Sequence, residues 1–199
     1  MSGPGLRLVQ PAHAVSRGRI AEHTVIGMGL FVFAEIMLFA GFIAGFIISE
    51  RSAVPGTWVT TDQPRLPVAS TAFNTAALLA SGVLLFFANR VWRRGRQGAA
   101  SGLMGASLLL GALFVALQGR EWVKLLAQGL TITSSPVGSY FYLIVGAHAL
   151  HAVVALAYLA LCWLWLRTGR LTVPRFAAAQ LFWYFVVLLW PAIFLKVYL

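Results

Sequence analysis

The chain has 199 residues, of which 60% are hydrophobic and 10% are charged, and its mean hydropathy is +0.83. Soluble domains carry about 25% charged residues, so this composition excludes an ordinary soluble protein and indicates an integral membrane protein. The net charge of +10 does not indicate a nucleic-acid partner, because nearly all the charges lie in short segments between apolar runs.

Five apolar segments are each long enough to cross a bilayer, whose hydrocarbon core of about 30 Å needs ~20 helical residues. They predict an all-α fold, with a single transmembrane domain over residues 23–199 that is a bundle of five membrane-spanning helices. Residues 1–22 contain arginines among glycine and proline and predict a flexible basic tail. Pro191 predicts a kink in the last helix. The helices are expected at about 24–49, 68–91, 100–123, 138–166 and 175–198.

The basic residues are distributed unequally between the two sides of such a bundle. With five helices, the N-terminal tail, the 92–99 loop and the 167–174 loop share one side. Ten of the 15 lysines and arginines belong to that side and five to the other. By the positive-inside rule, this asymmetry predicts a cytoplasmic N-terminus and a C-terminus outside.

The first predicted helix carries one carboxylate, Glu35, close to its middle. An ionisable side chain near the membrane midplane costs several kcal/mol unless it is paired or neutral. One interpretation is a buried acid that is held in its neutral form. The other is a residue of a proton path or of a contact between subunits, and the sequence leaves both open. On the same helix, Gly41 and Gly45 form a G-x-x-x-G pair that would permit close helix approach.

Two histidines, His148 and His151, lie three residues apart on the fourth predicted helix and therefore share a face. They could bind a metal, but a closed site needs about four ligands, and only Glu121 is available nearby. Imidazoles at this spacing also cannot take opposite faces of a haem. The pattern favours buried histidines that are hydrogen-bonded across helices, and Asn74 has a similar interpretation. No metal or cofactor is therefore expected in this chain.

Four segments on successive predicted helices carry characteristic motifs: FVFAEIMLFAGF, LPVASTAFNTAALLASG, ALQGREWVKLL and GSYFYLIVGAHALHAVVAL. In their order and spacing these segments resemble subunit III of the haem–copper oxidases, with cytochrome c oxidase subunit III as the nearest form. The likeness extends over residues 23–199, most of the chain.

The resemblance implies roles for individual residues. Glu35 matches the intramembrane glutamate of the family, in the helix that packs near subunit I, and is the candidate for a proton path or subunit contact. Asn74 matches the asparagine of the family's LNT motif, and Glu121 matches the glutamate that ends the next helix. His148 and His151 match the paired histidines of its FHGLHV motif. The last four are candidates for structural or lipid contacts, and no catalytic residue is expected.

The resemblance also implies a function. Such a subunit is a non-catalytic accessory subunit of a proton-pumping terminal oxidase, which reduces O2 to water with haem and copper held in partner subunits. It packs on subunit I, binds phospholipid in a cleft between helices, and sustains proton uptake. Subunit II, small subunits, cytochrome c as electron donor and a respiratory supercomplex are further expected partners. A five-helix form, without the first two helices of the seven-helix version, implies a multi-pass protein of a bacterial cytoplasmic membrane.

The last helix departs from the family pattern. Where the family usually has W-H-F-V-D, this chain has WYFVV, so that Tyr184 and Val187 replace a histidine and an aspartate. These replacements argue against a polar contact or lipid-headgroup role for this helix.

Three other functions are compatible with the residues. The first is a subunit III of a quinol oxidase or nitric-oxide-reductase-type complex, although the resemblance implies that those relatives often have aspartate where Glu35 stands. The second is a small b-type cytochrome that uses His148 or His151. The third is a proton-coupled transporter that uses Glu35, although five helices without a visible repeat are unlike the usual transporter design.

Overall fold

The computed structural model describes residues 12–54, 56–58, 66 and 68–198, and within the first helix it describes side chains from His23 onward. These residues form five α-helices, each long and apolar enough to cross a membrane. The prediction of an all-α, five-helix membrane protein is confirmed. The elements are α1 (Ala12–Ser52), α2 (Val68–Arg93), α3 (Gln97–Ala127), α4 (Pro136–Arg167), α5 (Val173–Ile193) and a π-helical turn (Phe194–Tyr198).

The first helix begins earlier than the sequence predicts. Its backbone is helical from Ala12, within the segment predicted as a flexible tail, and residues 1–11 of that segment lie outside the described part of the chain. Residues 12–22 include alanine, arginine and glutamate, which favour helix, so the helix continues beyond the membrane-spanning part that starts at His23.

Short connections join α2 to α3, α3 to α4 and α4 to α5, so the helices of each of these pairs are antiparallel. The turn from α2 to α3 contains Gly95 with a φ of 77°, and the connection from α3 to α4 contains Gly129 with a φ of 90°. Glycine adopts these left-handed conformations without steric cost, which suits it to the residue after a helix. Ser135 then caps α4, because its Oγ accepts a hydrogen bond of 3.0 Å from the backbone N–H of Gly138.

The last helix, α5, lies at the centre of the bundle and contacts α1, α2 and α4. Its Trp183 and Trp190 are fully buried. Each indole N–H donates to α2, from Trp183 to Ser81 Oγ at 3.0 Å and from Trp190 to Thr75 Oγ1 at 2.8 Å. Ser107 on α3 donates to the Ser81 carbonyl at 2.8 Å. Lipid offers little hydrophobic driving force between helices, so these hydrogen bonds and close packing hold the bundle together.

The first helix packs against α4 and α5 along one narrow stripe. Val32, Phe39 and Phe46 are buried along this stripe at a spacing of seven residues, which is typical of a seam between helices that cross at a small angle. Most of the remaining surface of α1 is apolar and exposed, including Leu30, Phe33, Met37 and Ile48. We call this surface the outer face of α1.

The two glycines of the G-x-x-x-G pair have different surroundings. A Cβ atom at Gly45 would lie 3.5 Å from the ring of Tyr140, whereas a Cβ atom at Gly41 would have no heavy atom within 4 Å. The close approach predicted at Gly41 is therefore not made by another helix of the described chain. Gly41 belongs to the outer face of α1.

The irregularity that Pro191 predicts takes the form of a change in helix type. Proline has no N–H group, so it interrupts the hydrogen-bond ladder of α5. The N–H of Phe194 bonds to the carbonyls of Pro191 and Trp190, and the backbone then continues as the π-helical turn. This turn brings Tyr198 to Gln118 on α3, whose Nε2 donates to Tyr198 Oη at 2.8 Å.

Candidate functional site

Glu35 and His151 meet in the middle of the bundle. Glu35 lies on the packed stripe of α1, and its Oε2 is 3.0 Å from Nε2 of His151 on α4. Both side chains are largely buried, with exposed fractions of 16% and 14%. This distance is short enough for a hydrogen bond, but the angles at the two atoms do not meet hydrogen-bond geometry. We call this contact the Glu35–His151 pair.

The other ring nitrogen of His151 contacts the backbone of its own helix. Nδ1 lies 2.7 Å from the carbonyl oxygen of Ala147, and because a carbonyl can only accept, Nδ1 carries a proton. Nε2 is therefore the ring nitrogen that faces Glu35 Oε2, and a proton held by either atom would lie between the two side chains.

Aromatic rings surround this pair. The imidazole of His151 has phenylalanine rings of α1 and α5 at centroid distances between 5.6 and 6.3 Å: Phe31, Phe39, Phe182 and Phe185. A low-dielectric shell of this kind strengthens the interaction between Glu35 and His151 and makes an unpaired charge there costly. The described residues at this site thus combine a carboxyl group and an imidazole within an apolar aromatic shell.

His148 is not part of the Glu35–His151 pair. It is 1% exposed, its ring lies 5.0 Å from that of Trp190, and neither of its nitrogens has a hydrogen-bond partner in the described part of the chain. Two residues three apart on a helix differ by about 60° in direction. That difference is enough for His151 to meet α1 while His148 faces α3 and α5.

Glu121 and Asn74 lie elsewhere. Glu121 pairs with Lys124, one turn further along α3, at 3.0 Å between Nζ and Oε1. Asn74 is buried on α2, while Ser81 and Thr75 supply the hydrogen bonds from α2 to α5. Among the residues that the structure describes, no three His, Cys, Asp or Glu side chains come together as a metal site would require. The roles of Asn74 and Glu121 stay predictions.

The sequence of the chain is similar to a known family of membrane proteins. The profile of the family described as Cytochrome c oxidase subunit III matches residues 12–199. The chain is 32% identical over 179 residues to "Cytochrome c oxidase subunit 3" from Coturnix japonica and from Gallus gallus, and each alignment covers 86% of this chain and 67% of the relative. The corresponding protein of Oryctolagus cuniculus is 31% identical over the same length. The chain belongs to the cytochrome c oxidase subunit III family.

This membership confirms the resemblance read from the four motifs. The chain is accordingly an oxidase subunit III, a multi-pass membrane protein that forms a complex with other oxidase subunits and takes part in respiration.

Tyr184 and Val187, where this subunit III departs from the family pattern, each contact a specific neighbour. Tyr184 Oη accepts a hydrogen bond of 3.2 Å from Gln180 Nε2, one turn earlier on α5. Val187 faces α2, where a Cβ atom added to Gly82 would lie 3.1 Å from its Cγ1. Valine therefore fills a tight contact between two helices of the chain, in a place where an unpaired aspartate would be costly.

Sequence reasoning missed three residues of this subunit III that become important only in the packed bundle. Gln118 and Trp122 on α3 lie near His148, and Gly111 on α3 receives the ring of Trp183. The motif ALQGREWVKLL contains the first two, but their importance depends on α4 and α5, which sequence spacing along α3 does not reveal.

Proposed function

We propose that this chain is the non-catalytic subunit III of a haem–copper oxidase that reduces O2 to water, and that it packs on subunit I and sustains its proton uptake. The observation that supports the proposal is the Glu35–His151 pair, in which a carboxyl group and an imidazole lie 3.0 Å apart in the middle of the membrane-spanning bundle. The haem and copper are held by partner subunits. Cytochrome c is the electron donor.

The two sides of α1 support this proposal in different ways. The packed stripe holds Glu35 against α4, and the outer face is a large apolar surface in which Gly41 leaves room for a close neighbour. Small residues on membrane helices permit such approach. We propose that subunit I occupies the outer face of α1, with subunit II and small subunits farther away. Exposed apolar surface elsewhere on the bundle suits phospholipid.

The proton of the pair gives a physical reason for Glu35 at this depth. A proton can pass between the two side chains without changing the net charge of the site, so the site stays compatible with lipid in both arrangements. We propose that the pair buffers or relays protons that subunit I takes up during turnover. The bacterial cytoplasmic membrane, the cytoplasmic N-terminus and membership of a respiratory supercomplex stay predictions.

The test compares Glu35→Ala and Glu35→Gln with Glu121→Gln in the purified oxidase complex. Glu121 is the matched control, because it is also a helix carboxylate of this chain but pairs with Lys124 near a helix end. We expect both Glu35 variants to leave the haem absorbance of subunit I intact, and to weaken subunit docking in mild detergent or steady-state proton uptake. Glu121→Gln should match the unmodified complex.

Two results would contradict this proposal. One is migration of the unmodified chain apart from any haem–copper subunit I in mild detergent. The other is loss of haem absorbance in a Glu35 variant that still contains subunit I. The chain purified alone should be colourless, and vesicles containing it alone should show no proton flux, which separates the accessory role from a b-type cytochrome and from a transporter.

A further inference from the structure

A partly open cavity of about 170 Å³ lies between α3, α4 and α5, toward the end of the bundle where α3 is followed by α4. It is separate from the Glu35–His151 pair, which lies where α4 meets α1. Its walls are mostly apolar. The residues that line it include Val115, Gln118, Trp122, His148, Ala149 and Trp190.

Four buried polar atoms on three lining residues have no hydrogen-bond partner among the described residues. They are Nδ1 and Nε2 of His148, Oε1 of Gln118 and Nε1 of Trp122. His148 is 1% exposed and Gln118 is 6% exposed. Buried polar atoms are nearly always hydrogen-bonded, to protein or to ordered water. These four atoms belong to residues that line one cavity, so an occupant of the cavity is the available hydrogen-bond partner.

The donors and acceptors among the four atoms indicate which kind of molecule could occupy the cavity. A neutral imidazole has one donor and one acceptor, an indole N–H is a donor, and an amide oxygen is an acceptor. The set thus offers two donors and two acceptors, and no charged side chain lines the cavity. An anion would leave the acceptors unpaired and a metal ion would leave the donors unpaired. Water donates and accepts equally, and the cavity far exceeds the roughly 10–15 Å³ that one buried water needs.

We propose that this cavity is an internal water-binding site of the membrane bundle, in which several ordered waters hydrogen-bond to His148, Gln118 and Trp122. The site goes beyond the proposed function and does not depend on it. The contact of Gln118 Nε2 with Tyr198 Oη directs the amide so that Oε1 stays available. The ring of Trp190, 5.0 Å from that of His148, holds the imidazole in place.

A second cavity, between α3 and α4, provides an internal comparison. It has a volume of about 400 Å³ and is lined by Gly105, Leu108, Leu109, Ala112, Leu156, Ala160 and Trp163. Here the indole N–H of the lining tryptophan is already satisfied, since Trp163 Nε1 donates to the Ser101 carbonyl at 3.0 Å. An apolar cavity without unpaired polar atoms stays dry or takes an apolar group. The two cavities should therefore differ in water although they share α3 and α4.

The test measures magnetisation transfer from water to the indole N–H groups of the full chain, labelled with ¹⁵N-tryptophan in phospholipid nanodiscs. Disappearance of one signal in Trp122→Phe assigns that residue. We expect strong transfer at Trp122, and little at Trp183 and Trp190, whose indoles are bonded to Ser81 and Thr75. Transfer at Trp122 no stronger than at Trp183, or transfer from lipid methylene protons instead of water, would overturn the proposal.

A cavity-filling variant separates internal water from water at the membrane surface. Ala149→Leu, or Val115→Phe if the Trp183 and Trp190 signals move, should abolish the transfer at Trp122, because the added side chain displaces the waters. Surface water would still reach Trp122 in that variant, so persistent transfer would contradict an internal site. Ala160→Leu fills the second cavity and is the matched control, with unchanged transfer at Trp122.

Discussion

At the scale of single residues, the Glu35–His151 pair shows how a membrane helix can hold an ionisable group at moderate cost. The carboxyl group lies 3.0 Å from one nitrogen of the imidazole, while the carbonyl of Ala147 lies 2.7 Å from the other. Each side chain depends on the other, because a buried polar group that loses its partner retains its full desolvation penalty.

This dependence predicts non-additive effects of substitution. Glu35→Leu and His151→Leu should each lower the free energy of unfolding by about 1–3 kcal/mol. The double variant should lose less than the sum, with a coupling energy of roughly 0.6–1.7 kcal/mol as found for hydrogen-bonded pairs in membranes. Reversible unfolding in mixed micelles measures all three. Glu121→Leu combined with His151→Leu is the control, and its effects on the free energy of unfolding should be additive. Additive effects of Glu35→Leu and His151→Leu would show that the two side chains do not interact.

At the scale of helices, α5 organises the bundle through two tryptophans. Trp183 is anchored at both ends: its indole N–H bonds to Ser81 on α2, and its ring edge lies against Gly111 on α3. Because the ring is fully buried and tethered, it cannot swing away when the opposing surface grows. Gly111 is therefore required by packing between helices, not by the conformation of α3.

Gly111→Ala should destabilise the protein by about 1–3 kcal/mol, the usual cost of overpacking. The added Cβ would lie 2.7 Å from two ring atoms of Trp183 and 2.9 Å from Leu156 Cδ1. Gly102→Ala on the same helix is the matched control, since its Cβ would have no heavy atom within 4 Å. Equal thermal stability of the two variants in detergent would show that Trp183 is not held as described.

At the scale of the whole molecule, the part of α1 from His23 onward packs against the rest of the described chain along one side. Its packed stripe contacts α4 and α5, and its outer face is apolar and open. A substitution on the outer face can therefore disturb association with another subunit without disturbing the fold of this chain.

Gly41→Leu tests whether association with another subunit can be disturbed without destabilising this chain. The unfolding free energy of the isolated chain should not fall, because the site is open. Retention of the chain in the oxidase complex should fall as detergent increases, because leucine prevents close approach of a partner helix. Gly102→Leu, at the open glycine of α3, serves as control and should be retained normally. Equal retention of both would place the interface with the catalytic subunit elsewhere.

The sequence was sufficient for some of these features and insufficient for others. The five helices were predictable because length and continuous apolar composition alone determine membrane spans, and Glu35 was identified because a carboxylate in such a span is rare. The different surroundings of His148 and His151 were not predictable, because their spacing along α4 does not reveal which neighbouring helix each ring contacts. The cavity around Gln118 and Trp122 requires three helices to converge, and the need for Gly111 requires Trp183 to lie opposite.

The order of the helices along the chain has a consequence for biogenesis. Glu35 enters the membrane with α1, but its partner His151 arrives only with α4, and α5 closes the packed stripe later still. At about 5–20 residues per second, synthesis of the intervening chain takes roughly 6–23 s. During that interval the carboxyl group lacks the imidazole that it contacts in the folded bundle. We therefore expect the contact between α1 and α4 to form late in synthesis, and the packed stripe to be covered last, when α5 arrives.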